Sequence, residues 1–158
     1  MRNAAVITVS DRAAAGARTD TAGPVAVAAL REAGFACPPA RVVPDGAEQV
    51  AAAIRAAVAD GARLVVTTGG TGIGPRDRTP EGTRLVVERE VPGLAERIRA
   101  IGAARVPAAV LSRGVSGVTG AALVVNLPGS AAAVTDGIAV ILQVAPHALD
   151  QLDGGDHR

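Results

Sequence analysis

The sequence alternates short apolar runs with longer segments of helical periodicity, and this alternation restricts the possible folds more than any other feature. Apolar, partly β-branched runs predict buried strands at 4–10, 40–44 and 63–68, and a pair of strands joined by a glycine-rich turn within 114–129. The remaining periodic segments predict helices at 19–35, 45–61, 80–90, 92–102 and 130–144. Such alternation indicates βαβ units, so we predict an α/β fold: a three-layer sandwich with a mostly parallel central sheet and helices on both faces.

The length and composition are those of one globular domain, which we place at residues 1–150, followed by a polar C-terminal tail at 151–158. A net charge of +1 gives no reason to expect nucleic acid or an anionic membrane as a partner. The first apolar run is too short for a signal peptide, and no apolar stretch approaches the length of a membrane span. We therefore expect a cytoplasmic location.

The residue types that are missing narrow the chemistry. All sixteen basic residues are arginine, which excludes Schiff-base lysines and the lysine of a P-loop. The only histidines are His147 and His157, and Cys37 is the only cysteine, so a His-dependent triad, a zinc cluster or a disulfide is not expected. Phe35 is the only aromatic residue and offers no platform for stacking bases. The groups left for chemistry are Asp, Glu, Arg, Ser and Thr.

Polar loops follow the predicted strands at their carboxyl ends, where open α/β sheets bind ligands. These loops are Ser10-Asp11-Arg12, Pro44-Asp45-Gly46, the stretch TTGGTGIGPRDRTPEGT at 67–83, and NLPGS at 126–130. Ser130 is placed to cap the last helix, whose N-terminus favours anions. We therefore expect the functional site at this edge of the sheet.

The glycine-rich stretch matches neither familiar phosphate-binding loop. A Walker A loop requires a lysine, which the chain lacks, and the GxGxxG pattern that begins at Gly70 and Gly72 places Pro75 where its third glycine belongs. The stretch is better interpreted as a strand-end loop whose backbone N–H groups can approach a ligand closely.

Several of these polar residues also have a purely structural interpretation. Asp45, with Glu48, fits a capping box, and Asp77 fits a solvated loop charge held by Arg76 and Arg78. In the same way, Asp11 fits the cap of a turn, Asn126 fits a bond to neighbouring backbone, and Thr79 followed by Pro80 fits the start of a helix. If Asp45 and Asp77 instead lie close together, their repulsion calls for a cation, and Mg²⁺ suits one or two carboxylates completed by water and phosphate.

The motifs of the chain resemble those of the molybdenum-cofactor biosynthesis domain of the Mog/MoaB type. The similar segments are ITVSDR, VPDG, LVVTTGGTGIGPRDRTPE, AVLSRGVSGV and LVVNLPGS, in this order and over almost the whole chain. The resemblance implies a three-layer α/β fold, a homotrimer, and the Mg-ATP-dependent adenylylation of the terminal phosphate of molybdopterin. It also implies a possible hand-over of the product to a molybdenum insertase.

The resemblance assigns roles to particular positions. Asp45 and Asp77 match the two aspartates needed for catalysis, and they are our candidates for binding Mg²⁺. Matching motifs also give the substrate-binding candidates Thr68, Gly69, Gly70, Thr71, Gly72, Ser112, Arg113, Asn126, Pro128, Gly129 and Ser130. Ser10 and Asp11 join these candidates because they follow the first strand at the same edge of the sheet. The alternative function is a non-catalytic molybdopterin-binding carrier, and a molybdate-inserting activity is disfavoured because the further domains that accompany it are lacking.

Overall fold

The computed structural model describes residues 1–156, so the predicted tail is seen only to Asp156, and His157 lies outside the described residues. Within the described part the strands are β1 (Ala4–Val9), β2 (Arg41–Val43), β3 (Leu64–Thr68), β4 (Arg89–Glu90), β5 (Ser116–Thr119) and β6 (Ala122–Leu127). They form one sheet in the order β2-β1-β3-β6-β5-β4. The first four strands of that order are parallel. At the other edge β5 pairs antiparallel with β6, and β4 pairs antiparallel with β5. This confirms the predicted mostly parallel sheet.

The helices are α1 (Asp11–Ala14), α2 (Ala22–Glu32), α3 (Ala47–Ala59), α4 (Thr79–Arg84), α5 (Pro92–Arg105) and α6 (Ala131–Leu152), with a 3₁₀ helix at Pro107–Leu111. Alternate residues of each central strand face opposite helix layers, as the period of two requires. Val66 joins the core cluster that contains α2, α5 and α6, whereas Val65 joins the cluster that contains α3. The chain therefore forms the predicted three-layer sandwich.

The last helix is longer than the sequence indicates. The predicted helix stops at residue 144, yet α6 continues through Pro146 to Leu152 and includes two residues assigned to the tail. Ala145 and Leu149 are fully buried and extend the apolar stripe, so packing against the core outweighs the backbone hydrogen bond that a proline removes.

Contrary to our expectation, α6 is also long and apolar enough to cross a membrane, with a mean hydropathy of 1.4 over an 18-residue window. The polar residues within it, such as Asp136, interrupt the apolar run but leave its average high. Core helices of globular proteins reach the same values, and α6 places Val134, Ile138 and Ile141 in the core cluster with α2 and α5.

The predicted helix at 80–90 is wrong beyond Arg84, where α4 ends. Val86 and Val87 instead pack against the α3 side of the core, and Glu88 donates its backbone N–H to Val118 O at 2.9 Å, next to β4. Thr79 is the first residue of α4 rather than its N-cap, which is Arg78. The Thr79 hydroxyl donates to Gly69 O at 2.9 Å.

The predicted capping box at the start of α3 does not form. Gly46 is the N-cap residue, and no side chain caps the helix. The Asp45 carboxylate instead accepts a hydrogen bond from the first residue of α1. The sequence did not predict this short helix.

Candidate functional site

The four strand-end loops meet at the carboxyl edge of the sheet, as predicted. The parallel strands β1, β2, β3 and β6 all end there. Ser10 N donates to Val43 O at 2.9 Å, and Gly69 N donates to Leu127 O at 3.0 Å, so the loops are joined in pairs by backbone hydrogen bonds. The site is therefore a surface made of loops held on a rigid sheet.

The glycine loop (Gly69–Gly72) follows β3 and folds tightly against its neighbours. Gly69 and Gly70 have φ values of +94° and +67°, which side chains other than glycine rarely adopt. A Cβ on Gly69 would collide with the carbonyl oxygen of Val9, and one on Gly70 would lie 3.0 Å from Asp45 Oδ1. Only glycine fits at these two positions, and the absence of side chains there allows the Asp45 carboxylate to lie against the loop.

The Asp45 carboxylate is oriented by Asp11 rather than by its own helix. Asp11 N donates to Asp45 Oδ2 at 3.0 Å, and Asp45 N donates to Asp11 Oδ1 at 3.1 Å. The structural interpretation of Asp45 as an N-cap is therefore wrong. Its Oδ1 accepts no hydrogen bond from residues 1–156 and points to the glycine loop.

Arg76 connects this aspartate pair to the loop that carries Asp77. Its guanidinium donates to both oxygens of Asp11, at 3.0 and 3.1 Å, and to the carbonyl oxygen of Asp45 at 3.1 Å. The hydrogen bond and charge of Arg76 lower the pKa of Asp11, so this carboxylate stays ionised beside the site.

Asp77 lies against the glycine loop at Gly72, two residues after the position that faces Asp45. Its Oδ2 accepts a hydrogen bond from Gly74 N at 2.9 Å and lies 2.9 Å from the position a Cβ would take on Gly72. The structural interpretation in which Arg76 and Arg78 hold Asp77 is wrong, because Arg76 pairs with Asp11 and Arg78 lies 3.8 Å from Glu81. The Oδ1 atom of Asp77 accepts no hydrogen bond within the described chain, so it is free for a ligand.

Asp45 and Asp77 lie close enough to influence each other electrostatically. Burial is the largest factor that raises the pKa of Asp45, and the negative charges of Asp11 and Asp77 raise it further. The N–H of Asp11 and the charge of Arg76 oppose this rise. Two carboxylates against one loop, each with a free oxygen and each within electrostatic reach of the other, are the arrangement that a shared divalent cation would neutralise.

Two free carboxylate oxygens are too few for a metal whose ligands all come from the protein, but they are enough for Mg²⁺. Among residues 1–156 no group of three or more His, Cys, Asp or Glu side chains is arranged to hold a metal ion. Mg²⁺ needs only one or two carboxylates when water and substrate phosphates complete its shell.

An open pocket of about 410 Å³ adjoins the glycine loop and Asp77. It is lined by nine of the predicted site residues: Gly69, Gly70, Thr71, Gly72, Asp77, Ser112, Pro128, Gly129 and Ser130. Ser130 caps α6 as predicted, by accepting a hydrogen bond from Ala133 N at 3.1 Å, so the N-terminus of a 22-residue helix opens at the pocket. Larger depressions, of about 530 and 760 Å³, contain none of these loops and lie away from the carboxyl edge.

The remaining predicted residues lie behind or beside the pocket. Ser10 caps α1, and Asp11 and Asp45 form the pair described above. Arg113 donates to the carbonyl oxygens of Gly72 and Asp77, both at 2.9 Å, and so fixes the backbone at these two pocket residues. Its guanidinium also pairs with Glu81. Burial raises the pKa of Glu81, but the hydrogen bonds and the charges of Arg113 and Arg78 together lower it below the ordinary value.

Asn126 and Thr68 are almost completely buried, with exposures of 2% and 1%. Asn126 accepts from Val115 N at 3.0 Å and donates to the hydroxyls of Thr67 and Thr83, both at 2.9 Å. This arrangement matches its structural interpretation. The Thr68 hydroxyl is the one buried side-chain N or O atom without a partner among the described residues.

Sequence reasoning missed Arg76 as a link between two loops, and it missed the helical wall of the pocket. Residues from α5, the 3₁₀ helix and α6 form this wall, among them Gly102, Ala109, Ala133 and Asp136. Arg76 lies inside the conspicuous motif, but its partner Asp11 is 65 residues away. No short-range pattern identifies either feature.

The fold and site together define a three-layer α/β protein with a glycine loop, paired aspartates and a helix N-terminus at the carboxyl edge of the sheet. Residues 5–147 match the family described as "Probable molybdopterin binding domain". The chain belongs to this family of molybdenum-cofactor biosynthesis proteins, within which it is of the Mog/MoaB type.

Solved structures of similar sequence share the fold over nearly their whole length. The molybdopterin biosynthesis Mog protein from Mycobacterium ulcerans has a TM-score of 0.91 at 47% identity, with 96% of this chain and 99% of that chain covered. The molybdopterin biosynthesis enzyme MoaB from Thermus thermophilus has a TM-score of 0.90 at 41% identity, and both chains are covered completely.

Curated relatives include a bifunctional protein and a molybdopterin adenylyltransferase. The chain is 41% identical to the molybdenum cofactor biosynthesis bifunctional protein of Synechococcus elongatus over 98% of its own length but only 48% of that protein's. It is 38% identical to the molybdopterin adenylyltransferase of Haemophilus influenzae over 83% of its own length and 68% of that protein's. The chain thus spans about half the length of the bifunctional relative.

Proposed function

We propose that this protein transfers the adenylyl group of ATP to the terminal phosphate of molybdopterin, with Mg²⁺, and releases pyrophosphate. The observation that carries the proposal is the placement of Asp45 and Asp77 against the same glycine loop, at Gly70 and Gly72, each with an oxygen that accepts no hydrogen bond within residues 1–156. The similarity to the molybdopterin adenylyltransferase of Haemophilus influenzae supports the same reaction.

The reaction needs no nucleophilic side chain. A phosphate oxygen of molybdopterin attacks the α-phosphorus of ATP and forms a new P–O bond. The bond between the α-phosphorus and the oxygen that bridges it to the β-phosphorus breaks, and pyrophosphate leaves with that oxygen. A chain without lysine can support this step, because the contributions required are orientation and neutralisation of charge.

The residues at the carboxyl edge are suited to those tasks. Asp45 and Asp77 would hold Mg²⁺, which supplies positive charge to neutralise the phosphates of ATP. Gly70, Thr71 and Gly72 line the pocket, and their backbone N–H groups, unlike that of Gly69, donate to no acceptor within residues 1–156. Together with the N-terminus of α6 at the same pocket, they favour an anion. Asp11 and Arg76 keep Asp45 in place, and Arg113 holds the backbone of Gly72 and Asp77.

The wider biological setting follows from the family and is proposed with the activity. We expect a cytoplasmic homotrimer that passes its product to a molybdenum insertase. The bifunctional relative from Synechococcus elongatus supports the hand-over, because a domain similar to this chain makes up about half of a longer cofactor-biosynthesis protein.

The experiment that tests the activity measures pyrophosphate release by the purified protein with ATP and molybdopterin, with and without Mg²⁺. Release should require all three components, and Asp45→Asn and Asp77→Asn should abolish it while molybdopterin binding is retained. Asp60→Asn is the matched control, because Asp60 is an exposed aspartate at the end of α3. Tight molybdopterin binding without pyrophosphate release would instead establish the non-catalytic carrier, and full activity in both Asn variants would overturn the assigned roles.

A further inference from the structure

Outside the glycine loop, small apolar residues form much of the pocket lining, beside the larger side chains of Arg105, Val106 and Leu111. The small residues of this wall are Gly102 at the end of α5, Ala108 and Ala109 in the 3₁₀ helix, and Ala132 and Ala133 in the first turn of α6. Side chains this short leave a smooth surface, and the volume of about 410 Å³ is in the range of small-molecule sites. Such a wall suits a flat ring system in a chain that has a single aromatic residue.

One carboxylate interrupts this apolar wall. Asp136 lies on α6, three residues after Ala133 and therefore on the same helix face, and it lines the same pocket. Its side chain is only 18% exposed. Arg105, which lines the same pocket and is 63% exposed, donates to Oδ1 at 3.0 Å. Oδ2 accepts no hydrogen bond from the described residues and is left for a ligand.

The distance between Asp136 and the N-terminus of α6 determines which part of a bound ligand Asp136 can contact. Asp136 is six positions after the N-cap Ser130, a distance of about 9 Å along the helix axis. A phosphate at the helix N-terminus and a ring system against the alanine wall would therefore bring the far edge of the rings to Asp136. The carboxylate can only accept hydrogen bonds, so it selects a ring edge that donates.

We infer that Asp136 recognises the 2-amino and N3–H donors of a pterin ring, and so determines which heterocycle occupies the pocket. This inference rests on the proposed function and names a specificity residue for its substrate. Adenine presents its single amino donor beside a ring-nitrogen acceptor, and that acceptor would face the carboxylate unfavourably. The pocket thus holds the pterin, and the adenine of ATP lies elsewhere.

The test compares pterin binding, followed by the intrinsic fluorescence of free pterin, in the full-length wild-type protein and two aspartate variants. Asp136→Asn replaces an acceptor by a donor and should weaken pterin binding by about 10- to 100-fold. The ATP affinity should not change. Asp150→Asn is the matched control, because Asp150 also lies on α6 and pairs with an arginine, Arg2, but is outside this pocket.

A third variant and a second ligand separate recognition from structure. Arg105→Gln breaks the ion pair but keeps the carboxylate, so pterin affinity should fall less than about threefold. On the wild-type protein, lumazine carries a carbonyl in place of the 2-amino group and should bind at least about tenfold more weakly than pterin. This comparison needs no variant to fold.

Each contrary result overturns the inference. These results are unchanged pterin affinity in Asp136→Asn, a loss of ATP rather than pterin binding, an equal loss in Arg105→Gln, or equal affinities for pterin and lumazine. Pyrophosphate release from molybdopterin and ATP is measured independently. The proposed reaction can therefore stand while the role of Asp136 fails, and pterin selectivity can be observed even if no pyrophosphate is released.

Discussion

Asp11 and Asp45 hold each other through a reciprocal pair of hydrogen bonds, in which the backbone N–H of each residue donates to the carboxylate of the other at 3.0 and 3.1 Å. The two residues follow different strands, β1 and β2, and are 34 positions apart in the chain. This pairing aligns the two loops. It also leaves Asp45 Oδ1 free at the glycine loop, so the geometry of a catalytic candidate depends on a neighbour that need not touch the substrate.

Replacing Asp11 should therefore impair turnover through Asp45. Asp11→Ala removes the acceptor for Asp45 N and the partner of Arg76, so the loop with Asp45 loses two anchors. We expect pyrophosphate release to fall by about 10- to 100-fold, with a higher Mg²⁺ concentration needed for half-maximal rate. Asp11→Asn keeps one acceptor oxygen and should lie between Ala and wild type. Wild-type kinetics in Asp11→Ala would show that Asp45 does not depend on this pairing.

The pH dependence of the reaction should report the protonation of Asp45. This carboxylate must be ionised to bind a cation, and its pKa is raised, chiefly by burial. The acid limb of kcat/KM should therefore lie above the ordinary aspartate pKa of about 3.9, with activity lost as the pH falls through the raised value.

The Arg76→Gln variant tests whether Asp45 is the group that sets the acid limb, because the limb should shift in a predicted direction. The positive charge of Arg76 favours the ionised form of Asp45, so its removal raises the pKa and should move the acid limb to higher pH. Arg41→Gln is a suitable control, because Arg41 lies in β2 and away from the pocket. A limb that stays in place or moves to lower pH in Arg76→Gln would exclude Asp45 as the group that titrates.

Asn126 should behave as a stabilising residue. Asn126→Ala would leave Val115 N and the hydroxyls of Thr67 and Thr83 buried without their present partner. We expect the free energy of unfolding to fall by about 2 to 4 kcal/mol, measured by urea denaturation. Thr135→Ala, which removes an exposed hydroxyl bonded only within α6, should change it by less than about 0.5 kcal/mol. Equal effects would refute a structural role for Asn126.

The sequence alone predicted those features of the fold and site that depend on hydrophobic periodicity and on the order of strands and helices along the chain. Alternating strands and helices predict the three-layer sandwich, and the rule for carboxyl ends of parallel strands brings together the loops at Asp11, Asp45, Gly69 and Ser130. These inferences hold because they need only the chain direction and the face on which a residue lies.

Features that depend on contacts distant in sequence were not predictable. The spacing of Asp45 fits a helix cap, but an N–H group 34 residues away provides a better-placed partner. Val86 and Val87 fit a helical segment by local pattern, yet the core holds them outside α4. Asp136 gives no local sign of facing a pocket, because α5 and the 3₁₀ helix complete the wall.

A comparison of Gly69 in the glycine loop with Gly16 separates two reasons why a glycine is needed, namely a positive φ and close packing against a neighbour. Gly16 and Gly69 both have positive φ, at +75° and +94°, but a Cβ on Gly16 has nothing within 4 Å, whereas one on Gly69 would meet the carbonyl oxygen of Val9. Gly16→Ala should therefore cost about 1 kcal/mol of unfolding free energy from conformation alone.

Gly69→Ala should cost more, roughly 3 kcal/mol, because the loop must also move away from β1. That movement displaces the backbone between Asp45 and Asp77, so pyrophosphate release should fall in the folded fraction of Gly69→Ala and not in Gly16→Ala. Urea denaturation and the turnover assay on the same preparations give both quantities. Equal costs for the two variants would mean that the contact between Gly69 and Val9 does not constrain the loop.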